Sequence, residues 1–549
     1  MSKFVAFKTM SEMPELPVSQ ARMSWNKTGS WRSSTPGHQG KLPPCNFNCP
    51  AGEDIRGYLD LMKKGKVSDA FKLLTKANPL PAVCGNVCYH PCQTNCNRHN
   101  FDTELQIRSV ERLIGDWGIE TGFRPTLPAT GSKRVAVIGA GPAGLAAAHY
   151  LRQSGVNVVL YDENKKPGGI LQYGIPSYRL DKDVLKAELD RVLDGVEFKG
   201  NLRLGSDFDL ASLAEFDAIF LATGAHTSKR MYAEGEDLPG VESGLGFLKR
   251  VNSGESVQFE GKQVLVVGGG NTACDVARTA YRLGGSVTVA YRRTEHEMPA
   301  FAEEVEQMKT EPIDLEFLVA PFRLTPTTDG RLCVACHRME LGEPDDDGRR
   351  RPVVIDGADF DITVDVVFTA IGEDPDLSAA AGLDYDSSGS LDLSQVDPQL
   401  RDKLFIGGDI LPQPRTVPHA VASGRLASEQ INAFLQGVQV AKPSAVAEVA
   451  TEEDVNFAYF TRLNAAQRAS LSSGQGISSD KAAATDEANR CLSCGVCFEC
   501  DNCYNFCPDL AVVRTPDGYQ ANLDYCKGCG ICAKECPSGT LGMQGGRVA

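Results

Sequence analysis

Short apolar runs without polar alternation recur along the middle of the chain: Val135–Ile138, Val156–Tyr161, Ala218–Leu221, Val264–Val267 and Val287–Tyr291. Runs of this kind suit strands buried on both faces of a parallel sheet. The first passes through a glycine turn into an Ala/Leu-rich stretch of helical period, and Val264–Val267 does the same, with its helix running to about Leu283. Two doubly wound α/β units are therefore expected, the second interrupting the first. Helical sequence also covers Ile55–Lys76 and Thr416–Ile431, while Phe317–Phe368 reads as short strands around polar turns. Asp365–Ala370 returns to buried-strand character, and Leu404–Ile406 is a strand leading into Gly407-Gly408-Asp409. The flanks break the pattern. Met1–Leu42 is polar and rich in Pro and Gly, with Trp25 and Trp31, and is expected as an extended arm. Ala441–Asp486 is Ala/Ser-rich, as in a linker that wraps back along the body.

The two turns carry chemistry. Gly139-x-Gly141-x-x-Gly144 follows its strand directly. The first glycine permits the tight turn, the second lets backbone approach a pyrophosphate, and the third lets the helix pack on the strand. The next strand delivers Asp162 at the offset where a carboxylate takes the hydroxyls of an adenosine ribose. This is the expected FAD site. Gly169 in the Pro167-Gly168-Gly169 turn, the Thr223-Gly224 turn and Asp409 are expected beside it, with Asp409 at the ribityl chain. The second fingerprint reads Gly268-x-Gly270-Asn271-Thr272-Ala273, with alanine in the third glycine slot. Its second strand leads into Arg292-Arg293 rather than an acid. A cationic pair there suits the 2'-phosphate of NADP(H), so NADP is favoured over NAD.

The chain has 549 residues, long enough for several domains, a formal net charge of -15 and 19 cysteines. That acidity, with no offsetting basic cluster, argues against nucleic acid as a partner. No apolar run is long enough to span a bilayer, and the N-terminus lacks a signal-peptide core, so a cytoplasmic location is expected. Cysteines in a reducing compartment suit metal or cluster ligation better than disulfides. Their spacing decides it. Cys497-x2-Cys500-x2-Cys503-x3-Cys507-Pro and Cys526-x2-Cys529-x2-Cys532-x3-Cys536-Pro repeat the bacterial ferredoxin run, whose fourth cysteine serves the other cluster. One 4Fe-4S cluster would then use Cys497, Cys500, Cys503 and Cys536, and the next Cys526, Cys529, Cys532 and Cys507. Thr515-Pro516-Asp517-Gly518 is the expected hairpin between them. An N-terminal set, Cys45, Cys49, Cys84, Cys88, Cys92 and Cys96, can converge on further cubes, with zinc as the competing reading. Cys333-x-x-Cys336-His337 matches a c-type haem attachment motif, but its strand-like surroundings and the missing export signal point to core cysteines, as for Cys274.

From Pro43 to Ile431 the chain resembles the glutamate synthase small-subunit family, which includes the large subunit of NADH-dependent ferredoxin-NADP reductase and the N-terminal half of dihydropyrimidine dehydrogenase. The matching motifs are CPAG at Cys49, CGNVC at Cys84, SVER at Ser109, GAGPAG at Gly139, YGIP at Tyr173, GGGNTACD at Gly268, YRRTEHEMPA at Tyr291 and GGD at Gly407. The resemblance implies an FAD and NAD(P)H reductase with 4Fe-4S clusters in an N-terminal helical domain. The family's first cysteine run opens with a C-x-x-C pair that is missing here, and Cys491-x2-Cys494 stands instead before the ferredoxin runs. Cys491 and Cys494 are therefore expected to fold back and join Cys45 and Cys96. A further cluster would use Cys49, Cys88 and Cys92. Its fourth ligand would be Glu111, because relatives place Glu or Gln there, or else Cys84. Six N-terminal and ten C-terminal cysteines suffice for four clusters.

The fold class expected is α/β: two nested Rossmann-like domains, an N-terminal helical iron-sulfur domain and a C-terminal α+β ferredoxin domain. The divisions are an arm at 1–42, the helical cluster domain at 43–124, FAD domain at 125–225 and 365–440, NAD(P)H domain at 226–364, linker at 441–487 and ferredoxin domain at 488–549. A hydride donor delivers two electrons together and a cluster accepts one, so flavin must divide them. No acid-base residue is required, and no catalytic residue is assigned. The expected activity is NAD(P)H:acceptor oxidoreduction, exchanging electrons with a low-potential partner. Partners implied by the resemblance are dissimilatory sulfite reductase, a 2-oxoacid:ferredoxin oxidoreductase or a ferredoxin. Sulfite reductase leads, because its associated reductase joins the same body to the same C-terminal module. A glutamate synthase small subunit, electron bifurcation, a non-enzymatic wiring subunit and a homodimer stay open.

Overall fold

The computed structural model describes residues 9–12, 27–345, 348–378, 380, 382–386, 389–439, 448–464, 467, 481–516 and 518–545. Trp25 and Asp517 lie outside these.

Two five-stranded parallel sheets form the body. The first runs in the order Leu404–Ile406, Ala218–Leu221, Arg134–Ile138, Asn157–Tyr161, Glu197–Lys199. The helix Pro142–Gln153 covers one face, and the helix Val417–Gln436 packs on that helix and ends at Gly437 in the left-handed conformation. The second sheet runs Asp314–Phe317, Ser286–Tyr291, Gln263–Val267, Val366–Thr369, Val241–Ser243. Central strands of both sheets are buried along their length, as uninterrupted apolar runs require.

The strand Val366–Thr369 corrects one expected boundary. It falls in the segment expected to return to the FAD domain, yet it lies between Gln263–Val267 and Val241–Ser243 in the second sheet. The return to the first sheet comes only at Leu404–Ile406. A four-residue apolar run satisfies either sheet, so its period cannot say which one it joins. Inserted between two strands of the second sheet, Asp314–Phe317 and Val366–Thr369, is an antiparallel unit in which the 13-residue strand Leu332–Pro344 pairs with Val319–Pro326, Arg350–Val354 and Phe360–Val364. Cys336 is buried in that strand and Cys274 in the helix Asn271–Arg282.

The N-terminal domain packs the helices Ile55–Lys63, Val67–Leu74, Pro81–Val87 and Ile107–Glu120 around Tyr58, Met62, Phe71 and Ile114. Gly65, at φ +68°, separates the first two helices where one was expected. Ala484 and Ala488 complete this core from the far end of the chain, on the helix Lys481–Asn489. The arm also finds the C-terminus: Ser34–His38 pairs antiparallel with Leu541–Gly545. The ferredoxin hairpin is Val512–Thr515 against Gly518–Ala521. Among the described residues no helix is long and apolar enough to cross a membrane.

Candidate functional site

The strand Arg134–Ile138 ends at Gly139, whose φ of +100° and close approach leave no room for a side chain: an added Cβ would lie 2.3 Å from the Ala222 carbonyl oxygen. A Cβ on Gly144 would lie 1.8 Å from the Gly139 oxygen, so this glycine lets the helix meet the turn. Gly141 is different. Nothing lies within 4 Å of a Cβ built there, because it faces open cavity. Each position thus has the steric reason the fingerprint predicts. Asp162 sits at the end of the next strand, its Oδ2 accepting from the Ala140 amide at 2.8 Å and its Oδ1 from the Asn164 amide at 2.8 Å. Gly169, at φ +52°, abuts Gly141, and Thr223 and Gly224 line the same space.

Asp409 occupies the turn Gly408–Ile410 and lines the same cavity. Burial pushes its pKa up to about 6, against the pull of Arg415, and its Oδ1 is buried without a hydrogen-bond partner. A buried orphan acceptor facing a cavity suits a ligand hydroxyl. These residues fit a flavin dinucleotide: open glycine backbone for the pyrophosphate, Asp162 for the ribose and Asp409 for the ribityl chain.

The second fingerprint repeats the geometry. Gly268 has φ +145° and a Cβ there would lie 2.1 Å from the Ala370 oxygen, whereas at Gly270 the nearest atom is 4.0 Å away. Ala273 is buried in the third slot. Thr272 hydrogen-bonds to Glu373, and Asn271 Oδ1 accepts from the Phe301 amide at 2.9 Å. One cavity of ≈ 1310 Å³ is lined by both fingerprints, Asp162, Asp409 and Arg292. The two arginines diverge: Arg292 is exposed, whereas Arg293 is buried and paired with Asp345 at 2.6 Å. Both line the cavity, so the expected cationic pair is one exposed arginine and one already paired with a carboxylate.

Three features of this region carry no short-range sequence signal. Arg179, beyond the YGIP turn, bonds Asp275 at 2.7 Å and Glu304 at 2.8 Å, which ties the first sheet's domain to two helices of the second. Burial raises Asp275 to about 7 despite Arg179. Tyr89 stacks on Phe301 with ring centroids 5.1 Å apart, and Arg108 forms a two-pronged pair with Glu303 at 2.8 Å on each prong. The iron-sulfur domain therefore docks on the segment that abuts the second glycine turn. Val87, the neighbour of Cys88, lines the cavity itself.

The cysteines gather into sets. Cys45, half-buried, has Cys491, Cys96 and Cys494 as its charge neighbours, and Cys494 has Cys491 and Cys96. Burial and these neighbours push Cys45, Cys96 and Cys494 up, Cys494 to about 12. Only added positive charge, as from iron, would keep such a group of thiolates ionised. The join is reinforced by Arg98 and Arg490. Arg98 pairs with Asp102 at 2.8 Å and donates to the Arg490 carbonyl, while Arg490 reaches Asp102 at 3.3 Å and Glu487 at 2.6 Å.

Cys49, Cys88 and Cys92 form a second set, with burial raising Cys88 to about 12. Both candidate fourth ligands lie against it. Glu111 is a charge neighbour of all three, and Asn78 hydrogen-bonds both Glu111 and Cys84. Glu53, which the motifs did not single out, shares a hydrogen bond with Glu111, and burial raises both carboxyls, Glu53 to about 7. In the C-terminal module Cys503 has Cys497, Cys500 and Cys536 as neighbours, and Cys532 has Cys526, Cys507 and Cys529. Cys500 and Cys529 are exposed. These crossed groupings are what two interleaved ferredoxin runs produce.

Comparison with known proteins gives three family matches: pyridine nucleotide-disulphide oxidoreductase over residues 133–424, dihydropyrimidine dehydrogenase domain II, 4Fe-4S cluster, over 32–123, and 4Fe-4S binding domain over 519–541. The chain is 39% identical over 423 residues to the NADP(+)-dependent formate dehydrogenase subunit beta of Moorella thermoacetica, matching 72% of this chain and 60% of that one. It is 36% identical to the glutamate synthase [NADPH] small chain of Escherichia coli, across 72% of this chain and 89% of that one. A putative oxidoreductase, YgfK of Escherichia coli O157:H7, is 34% identical across 90% of this chain and 48% of its own length.

Proposed function

The chain belongs to the pyridine nucleotide-disulphide oxidoreductase family, in its iron-sulfur flavoprotein branch, and from that premise we propose that it passes electrons between NAD(P)H and a low-potential protein partner through FAD and four 4Fe-4S clusters. One observation carries this reading: a single cavity is lined by both dinucleotide fingerprints and by Val87, next to the cluster cysteine Cys88. Bound there, FAD would supply the conversion between a two-electron hydride and single electrons. The protein holds and orients. Gly139–Gly144 and Asp162 would fix the flavin's adenosine end, Asp409 its ribityl chain, and Gly268–Ala273 with Arg292 the coenzyme. The adjoining cluster set is Cys49, Cys88 and Cys92 with Glu111 or Cys84. Cys45, Cys96, Cys491 and Cys494 follow, and then the two ferredoxin quartets.

The order has support in the contacts. Cys92 counts Cys45 among its charge neighbours, and Cys494 lies three residues from Cys497. The exposed Cys500 and Cys529 mark the end at which a partner would exchange electrons. We assign that partner to the class of low-potential redox proteins, such as a dissimilatory sulfite reductase, a 2-oxoacid:ferredoxin oxidoreductase or a ferredoxin. Relatives named as formate dehydrogenase beta and glutamate synthase small chains place a comparable body in other assemblies. Because the chain spans 60% of the length of the formate dehydrogenase relative, its own assembly is taken as a proposal too. Anaerobic addition of NADPH or NADH to the purified protein should bleach flavin and cluster absorbance together. Preparations with clusters but no FAD would overturn the reading.

A further inference from the structure

The arm near the start of the chain takes hold of the loop 523–530, which carries Cys526 and Cys529, by four of its backbone carbonyls. The Gly29 amide donates to the Asp524 carbonyl at 2.8 Å, Thr28 Oγ1 to that of Tyr525 at 2.7 Å, Ser34 Oγ to that of Gly528 at 3.3 Å, and Arg32 Nη1 to that of Leu523. Arg32 Nη1 also reaches the Gly29 carbonyl at 2.9 Å, which folds the arm on itself at the contact. The fit is close: a Cβ on Gly29 would lie 1.9 Å from the Leu523 oxygen, and one on Gly528 2.3 Å from the Ser34 oxygen. Lys27 pairs with Asp524 at 2.8 Å, and the Lys527 ammonium lies 5.4 Å from the centre of the Trp31 ring. Tyr525 and Gly528 immediately precede the two cysteines, so the arm fixes the backbone next to both thiols.

The other quartet is held from the side of the body. Its Cys536 leads into 537–540, which is buried: the Pro537 carbonyl accepts from the Asn456 amide at 3.0 Å and the Ser538 carbonyl from the Gly495 amide at 2.7 Å. Cys500 of that quartet is exposed, yet it has Tyr459 of the same body segment as a charge neighbour. The arm-bound quartet has outward-facing surroundings instead. Cys529 is exposed, Leu523 and Ile531 are exposed, and Leu510, three residues after Cys507, is 80% exposed.

We propose that the quartet Cys507, Cys526, Cys529 and Cys532 is the terminal electron carrier of the chain, and that Thr28, Gly29, Arg32 and Ser34 are positioning residues that hold its loop in shape. The inference rests on the reading of both quartets as 4Fe-4S sites. A cube's potential depends on hydrogen bonding, nearby charge and access of water, so a loop whose carbonyls are tied to a second segment keeps a defined potential where a loose one admits solvent. For every electron exchanged there, partner and cube change by one unit in opposite directions.

Redox titration of the anaerobic full-length protein, followed by electron paramagnetic resonance and with iron release to a chelator measured alongside, tests this. Gly29→Val, which drives a side chain into the Leu523 carbonyl, and Arg32→Ala should each shift the midpoint potential of one cluster and leave the other signals in place. Both should speed the loss of about four irons by about fivefold or more, with flavin content and flavin reduction by NAD(P)H unchanged. Arg32→Lys, which can still donate to the carbonyls, should recover most of the original potential. Cys529→Ser should alter the same signal that the arm variants shift, and Cys500→Ser a different one. A soluble dysprosium chelate, which speeds the relaxation of nearby unpaired spins, should act most on the Cys529 signal. Strongest action on the Cys500 signal overturns the terminal assignment. Arm variants that shift no potential, or shift every cluster alike, overturn the positioning role. Signals unchanged in both cysteine variants overturn the reading of these quartets as cluster sites.

Discussion

Asp409 keeps one oxygen buried and unpartnered, with burial raising its pKa to about 6, a cost that a ligand hydroxyl on the cavity side would relieve. A carboxyl raised above its unfolded value contributes stability that is present at acid pH and lost as pH rises through about 6. In the FAD-free protein, Asp409→Asn should therefore be the more stable form above that pH, by about 2 to 3 kcal/mol. In the loaded protein it should retain FAD less tightly; melting curves across pH and flavin release measure the two effects. Gly141→Ala should fold, because its methyl meets empty cavity, yet lose FAD affinity by about tenfold or more, whereas Gly144→Ala should fail to fold soundly. Absorbance of bound flavin beside the melting temperature separates these outcomes. The positions of the glycine turns and of the acids at the strand ends were legible in sequence because they follow from local backbone geometry. Glu53 was not, since no motif spacing marks a carboxylate that reaches Glu111 only through tertiary packing.

The helix Lys481–Asn489 puts Ala484 and Ala488 into the N-terminal core and carries Cys491 to Cys45 and Cys96. Its lock is Asp102, where burial works against the charge but Arg98 and backbone amides hold the pKa down to about 2. A carboxylate depressed in this way stabilises the joint above its unfolded value near 4 and loses that contribution as pH falls towards 2. Asp102→Asn should cost about 1 to 2 kcal/mol at neutral pH once screening is allowed for, and flatten the acid limb of the melting profile. It should also loosen the C-terminal module, which limited proteolysis around 461–490 would report. Sequence spacing suggested that Cys491 and Cys494 replace a missing pair, but the alanine pattern of this helix has no period that names the core it enters. The strand Val366–Thr369 makes the same point, since its apolar run fits both sheets and only pairing with Val241–Ser243 and Gln263–Val267 places it.

Across the whole molecule, the four proposed cluster sets would lead from the cavity wall to exposed thiols at Cys500 and Cys529. Anaerobically purified protein should hold about sixteen irons per chain, four for each of four cubes. Substituting Cys491 and Cys494 by serine should remove about four of them. Glu111→Ala and Cys84→Ala, compared by iron content and cluster spectrum, should identify the fourth ligand of the set nearest the cavity. Iron analysis giving only two or three cubes would reject the four-cluster scheme. The chain's own order of residues determined the two glycine turns, the acids at their set offsets and the cysteine runs, because each depends on a few covalently linked neighbours. Folding in three dimensions decided which strands share a sheet, which distant cysteines meet, and that Arg293 is buried against Asp345 while Arg292 stays exposed. Those outcomes depend on burial and charge pairing between segments tens to hundreds of residues apart, for which local spacing carries no record.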